Sequence, residues 1–233
     1  NVRSAMIVIL ASMLIGCVTS SADKDNVIYF DDNTPPNVVS MYEGLHIADI
    51  MNPASTNRPT VGDVVTVRGA VTAVDWKNSG LVGTETERSF WIQESECGPH
   101  NGLMVWNDSI DETLLEMGDT VDATGYLVEH NGVLGVDVYT VAIHRDETTL
   151  LPAHWLTSTE GIERFEGMLV GISNEPITKV MENGFEIEGL VVDGSLTQLG
   201  FAPRSGDLIE AMIGVVRMDG DTATLLPRSA KRS

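Results

Sequence analysis

The chain is poor in cysteine, in basic residues and in long apolar runs. Two cysteines in 233 residues allow one disulfide at most. Lys and Arg number 14 against 34 Asp and Glu, a formal net charge of −20. No basic cluster precedes Arg228, Lys231 and Arg232. Non-specific nucleic-acid binding draws most of its free energy from neutralising phosphates, so this composition disfavours single-stranded nucleic acid as a partner. The longest apolar stretch, Ala5 to Ile15, is short for a membrane-spanning helix. Catalytic signatures are missing too: there is no Gly-x-Ser-x-Gly elbow, no His-Glu-x-x-His pair and no phosphate-cradling glycine loop. The five histidines, His46, His100, His130, His144 and His154, occur singly without metal-ligand spacing and read as surface or turn residues. Asp31-Asp32 and Asp219-Gly220-Asp221 lack the spaced ligand series of a calcium loop. No catalytic residue, metal site or cofactor is expected.

What is present begins with an export pattern. Arg3 precedes the apolar run, which stops at Gly16-Cys17, as a signal-peptide core does. Leu14-Ile15-Gly16-Cys17 resembles the bacterial lipobox. That resemblance implies removal of residues 1–16 as a signal peptide, a lipid on Cys17 and attachment to the membrane through it. With Val18 rather than aspartate next, it also implies the outer membrane of the cell envelope. A lipid on Cys17 would leave Cys97 without an intramolecular partner, as a buried or a free thiol, and the fold held by its core rather than by disulfides. Small polar residues from Val18 to about Asn26 suit a flexible tether, and 17–43 is expected to be tether and N-terminal segment. Val27 to Phe30 reads as a short strand and Ser40 to Met51 as a brief helix with Leu45, Ile47 and Ile50 as its apolar contacts.

Beyond that point the pattern is all-β. The 22 glycines fall between Val- and Ile-rich runs, as turns fall between short strands. Within 44–148, Val61-Gly62-Asp63 launches a strand from Val64 to Trp76. There Val65, Val67 and Val71 alternate with Thr66, Arg68 and Thr72, and Gly69 is the expected bend or bulge. Ser89 to Glu94, Leu103 to Asn107, Thr120 to Glu129 and Val133 to His144 read as four further strands, with one or two helical turns at Ile110 to Glu116. This order suits a five-stranded barrel. Val61 to Thr72, Phe90-Trp91-Ile92-Gln93, Gly102 to Val105 and Met117 to Val121 resemble the OB-fold modules found beside extracellular nuclease domains and in surface lipoproteins. Residues 149–233 look like a divergent second copy: Gly206-Asp207, Gly214 and Asp219-Gly220 repeat the order of Gly118-Asp119, Gly125 and Asn131-Gly132. Leu225 to Ala230 also resembles the ends of those modules, while Asn183 to Thr197 is short for two strands. The expected architecture is two tandem OB-like five-stranded barrels after a lipoprotein signal and tether.

Alternation turns Phe90, Ile92, Leu103 and Val105 inward and Trp91, Gln93, Met104 and Trp106 outward. Trp76 continues the outward parity of Thr66 and Thr72 if no bulge intervenes. The second and third strands of OB barrels carry their usual ligand surface. The candidate ligand-binding set is therefore Trp76, Trp91, Gln93, Met104 and Trp106, with Arg68 pairing either with a ligand anion or in a surface ion pair. Exposed indoles stack on sugar faces or unpaired bases; the alternative is that these rings pack beneath the second module or the 26–51 segment. Glu94, Glu96, Asp108, Asp111 and Glu112 would repel phosphate there. A metal-dependent nuclease needs a constellation of carboxylate, Asn and His groups, usually on a large α/β domain for which this chain has no room. The function implied is a non-catalytic, envelope-tethered module that binds an oligosaccharide or an envelope protein. An accessory subunit of a separate secreted nuclease or phosphoesterase, and an envelope assembly lipoprotein, are the alternatives.

Overall fold

The computed structural model describes residues 27–30, 42–75, 88–95, 98–107, 115–145, 147, 149–194, 197 and 199–228, with side chains from Gly44 onward. Cys17, Trp76, Cys97, the acidic residues Glu96, Asp108, Asp111 and Glu112, and the turns expected from Ile110 lie outside them. The chain is predominantly β, with one α-helix among the described residues.

Seven strands form the first sheet: β1 (Val27–Phe30), β2 (Tyr42–Leu45), β3 (Val64–Asp75), β4 (Ser89–Gln93), β5 (Gly102–Trp106), β6 (Thr120–His130) and β7 (Val133–His144). The helix α1 (Ile47–Met51) follows β2. It is shorter than the Ser40 to Met51 helix read from the sequence, because Tyr42–Leu45 instead pairs in parallel with β3. Antiparallel ladders join β3 to β4, β4 to β5, β6 to β7 and β3 to β6, while β5 and β7 pair in parallel. Each of these five strands thus has two neighbours among the five. Inward positions are apolar, as alternation requires: Val65, Val67, Phe90, Ile92, Leu103, Val105, Val121 and Val141 are in one core, and Ile47 and Ile50 of α1 complete it.

The irregularity in β3 is not at Gly69. The register against β4 shifts between Val71 and Ala73, so Thr72 is the extra residue. A bulge inserts one residue and exchanges the faces beyond it: Val71 is in the first core, and Ala73 is on the opposite side. The outward parity that linked Thr72 to Trp76 ends there.

The second sheet contains β8 (His154–Trp155), β9 (Leu169–Ile172), β11 (Lys179–Met181), β12 (Gly184–Ile187), β13 (Leu190–Asp193), β15 (Met212–Asp219) and β16 (Thr222–Pro227); β10 (Glu175–Pro176) pairs only with β14 (Leu208–Ile209). Here too a short strand, β8, pairs in parallel with the strand that opens the sheet, and a helical turn at Ile162–Phe165 lies between them. Asn183 to Thr197 holds two strands after all, because the connection is only Glu188-Gly189, both in the left-handed region at φ 45° and 83°, the two-residue turn of a tight hairpin.

The Gly-Asp repeat has a structural counterpart. Gly118 and Gly206 have φ 94° and 88°. In both turns the aspartate backbone N–H donates three residues back, to Glu116 O or Arg204 O, and the Asp119 or Asp207 carboxylate accepts from that residue's N–H. The turn at Thr60 to Asp63 is the same, with Gly62 at φ 99°. A glycine carries the positive φ at little cost, and the aspartate satisfies a turn N–H.

Candidate functional site

The alternation read from the sequence holds on β4 and β5, but the outward side is not open. Trp91, Gln93, Met104 and Trp106 are 2–3% exposed. With Ala73 and Val133, the two tryptophans and Met104 pack against Leu169, Val215 and Leu226 of the second sheet. Gln93 Oε1 accepts a hydrogen bond from Leu169 N at 2.8 Å, and His100 N donates to Arg164 O at 2.7 Å. The backbones touch where side chains are absent: a methyl group on Gly102 would fall 2.2 Å from the carbonyl carbon of Gly167. Trp106 meets His130 edge to face at 4.9 Å. A stacking platform needs an open ring face, and these two indoles have none. They are junction residues, as the packing alternative anticipated.

An open concavity lies on the other outer face of the first sheet. It is a groove of about 890 Å³, within the usual size range of small-molecule sites. Its floor is Thr66, Arg68 and Ala70 of β3, Thr120, Asp122 and Thr124 of β6, and Thr140 and Ala142 of β7, the outward positions of each strand. The small side chains of Ala70 and Ala142 leave room there. Gly44 to His46 with Glu94 and Ser95 form one wall, and Glu147, Thr149 and Leu151 the other. Gln93 contributes to the groove as well as to the junction.

Arg68 is the one Lys or Arg among the described lining residues, and acids already engage it. Its Nε and one terminal nitrogen donate to the two Asp122 carboxylate oxygens at 2.6 and 3.0 Å, and Glu147 is 3.6 Å away. His144 Nε2 is 2.9 Å from Asp122 Oδ2 and 3.2 Å from Arg68. The hydrogen bond to Asp122 raises the Arg68 pKa despite partial burial. Burial pushes Asp122 upward, but the hydrogen bonds from Arg68 and His144 outweigh it and hold the carboxyl below its ordinary value. Glu94 accepts from Ile47 N at 3.1 Å and lies 3.2 Å from His46 Nδ1. Thr66 and Thr124 share a hydrogen bond of 2.9 Å across the strands, and Thr120 donates to Glu147 O.

This arrangement is a hydroxyl-lined channel whose carboxylates, Glu94, Asp122 and Glu147, outnumber its single guanidinium. It suits a ligand that donates hydrogen bonds and carries little negative charge. No group of three or more His, Cys, Asp or Glu among the described residues could hold a metal ion. Sequence reasoning singled out Arg68 but not its partners. Asp122 and His144 are 54 and 76 residues away along the chain, and only the β3–β6–β7 register brings them together. Neither the family models nor the curated proteins compared with this chain match it.

Proposed function

We propose that this is a non-catalytic, lipid-tethered binding protein of the bacterial cell envelope, built from two docked OB-like barrels, whose ligand is an oligosaccharide held in the Thr66–Arg68–Asp122 groove. The groove carries the reading. Sugar hydroxyls donate well to carboxylates and exchange hydrogen bonds with threonine hydroxyls, whereas three carboxylates beside one engaged arginine oppose a phosphate backbone.

The barrel reading is supported by the pairing order. In the first half the ladders run β3–β4–β5–β7–β6 and back to β3, with the β5–β7 pair parallel, the connectivity of an OB barrel. In the second half 169–181 plays the part of β3 in pieces: β9 and β10 pair with β15 and β14, and β11 with β12, while β13 and β16 make the parallel pair. The lipid tether rests on Leu14-Ile15-Gly16-Cys17, and the outer membrane is the destination that Val18 favours.

Titration calorimetry of the chain with neutral oligosaccharides, acidic oligosaccharides and single-stranded DNA, each at low and moderate salt, tests the ligand. Saturable binding of a neutral sugar that weakens in Thr140→Val and Asp122→Asn supports the groove. DNA binding that collapses with salt, without sugar binding, overturns it. Cys17→Ser should move the protein from the membrane to the soluble fraction, since acyl chains supply the anchoring.

A further inference from the structure

Three tryptophans are described, and they differ sharply. Trp91 and Trp106 are sealed in the junction, whereas Trp155 is 44% exposed. It stands on β8 opposite Gly171 of β9. On β9, Val170 and Ile172 point into the second core and Leu169 into the junction. By alternation, Gly171 and its cross-strand partner Trp155 face outward on the junction side.

The indole rests on bare backbone. A Cβ on Gly171 would fall 2.6 Å from Trp155 Cε3 and 2.7 Å from Cδ2, so any other residue there would lift the ring away. Leu156 N donates to Gly171 O at 2.8 Å, which fastens the strand beneath it. The ring is thus backed by glycine backbone, and 44% of the residue remains exposed. Aromatic rings held this way stack flat ligands or the C–H faces of sugars.

The chain itself limits how far this indole can stand from the groove. Leu151 lines the groove, and Trp155 follows four residues later, at most ~14 Å along a fully extended chain.

We propose that Trp155 is a sugar-stacking subsite that extends the groove, so that the ligand is an oligosaccharide longer than a disaccharide, one end among the threonines and the other over the indole. This rests on the groove reading given under the proposed function and adds a length requirement to it.

The test uses the full chain and graded cello-, chito- and malto-oligosaccharides from two to six units. In the series that binds, affinity should rise with length. Trp155→Ala should weaken the hexasaccharide about tenfold, the loss of one aromatic stacking contact, and leave the disaccharide unchanged. In an indole ¹⁵N–¹H spectrum the resonance that disappears in Trp155→Phe should shift with the hexasaccharide and not with the disaccharide. If the hexasaccharide binds but ignores Trp155→Ala, or leaves that resonance unmoved, the stacking subsite is wrong and the groove stands. If none of the three series binds, both are wrong. Trp155 is half in solvent, so its truncation leaves both cores intact and the comparison readable.

Discussion

The two outer faces of the first sheet are made by the same alternation and have opposite fates. The face on β4 and β5 carries Trp91, Met104 and Trp106 and is covered by the second half. The face on β3, β6 and β7 carries Thr66, Arg68, Thr120, Asp122, Thr124 and Thr140 and stays open as the groove. Apolar area drives burial at about 25 cal/mol per Å², while hydroxyls and charges resist desolvation without partners. The composition of an outward set therefore decides whether it is covered by protein or stays open. Among the described tryptophans Trp155 remains outside, on β8 beside β9, whose Leu169 is in the junction.

Breaking the covered face should have the largest effect. Trp91→Ala leaves a void between the halves and should lower stability by about 3–5 kcal/mol. Urea unfolding should then show two transitions where the parent shows one. Gly102→Ala forces a methyl group against the Gly167 backbone and should cost about 3 kcal/mol, the upper end for an overpacked site, read in the same experiment.

Glu166 sharpens the contrast through pH. It lines a cleft at the junction with Arg58, His100, Glu129, Glu163 and Arg164. Burial lifts its pKa to about 7, opposed by a hydrogen bond with the Met218 backbone, and its Oε1 is buried without a partner. A carboxyl raised in the folded state contributes stability that is complete below its unfolded value and is lost as pH rises through about 7. Melting temperature should therefore decline from about pH 4.5 to about 7. Glu166→Gln should flatten that decline and be more stable at pH 8, by on the order of 2–3 kcal/mol.

The groove should respond least in stability and most in binding. Asp122 is held below its ordinary value, so its contribution is present above the unfolded pKa and is lost as pH falls through the folded one. Asp122→Asn should cost about 1 kcal/mol near neutral pH, in keeping with a half-exposed ion pair, and should blunt acid unfolding below about pH 4. A thermal melt across pH checks it. A groove variant as costly as Trp91→Ala would erase the distinction between the two faces.

Much of this was legible before any coordinates. Val64 to Asp75, Ser89 to Gln93, Gly102 to Trp106, Thr120 to His130 and Val133 to His144 are strands within a residue or so of where alternation and turn residues put them. The inward set Phe90, Ile92, Leu103 and Val105 is in the core as read. The bulge at Thr72 was missed because its neighbours have no special signature; Gly69, the residue with one, pairs regularly with Val121. The parallel pairing of Tyr42–Leu45 was missed for a related reason: four residues carry too little periodicity to tell strand from helix.

The sequence by itself determined which side chains share a strand face wherever no bulge intervenes, where most turns fall, and that the chain is acidic and mostly β, because these follow from local alternation, glycine and proline chemistry, and counting. Only the tertiary structure decided which outward face is free. Docking of the two halves depends on Gly102 meeting Gly167, and the groove depends on a register joining Arg68, Asp122 and His144. Both are contacts between residues far apart in the chain, and no local pattern encodes them.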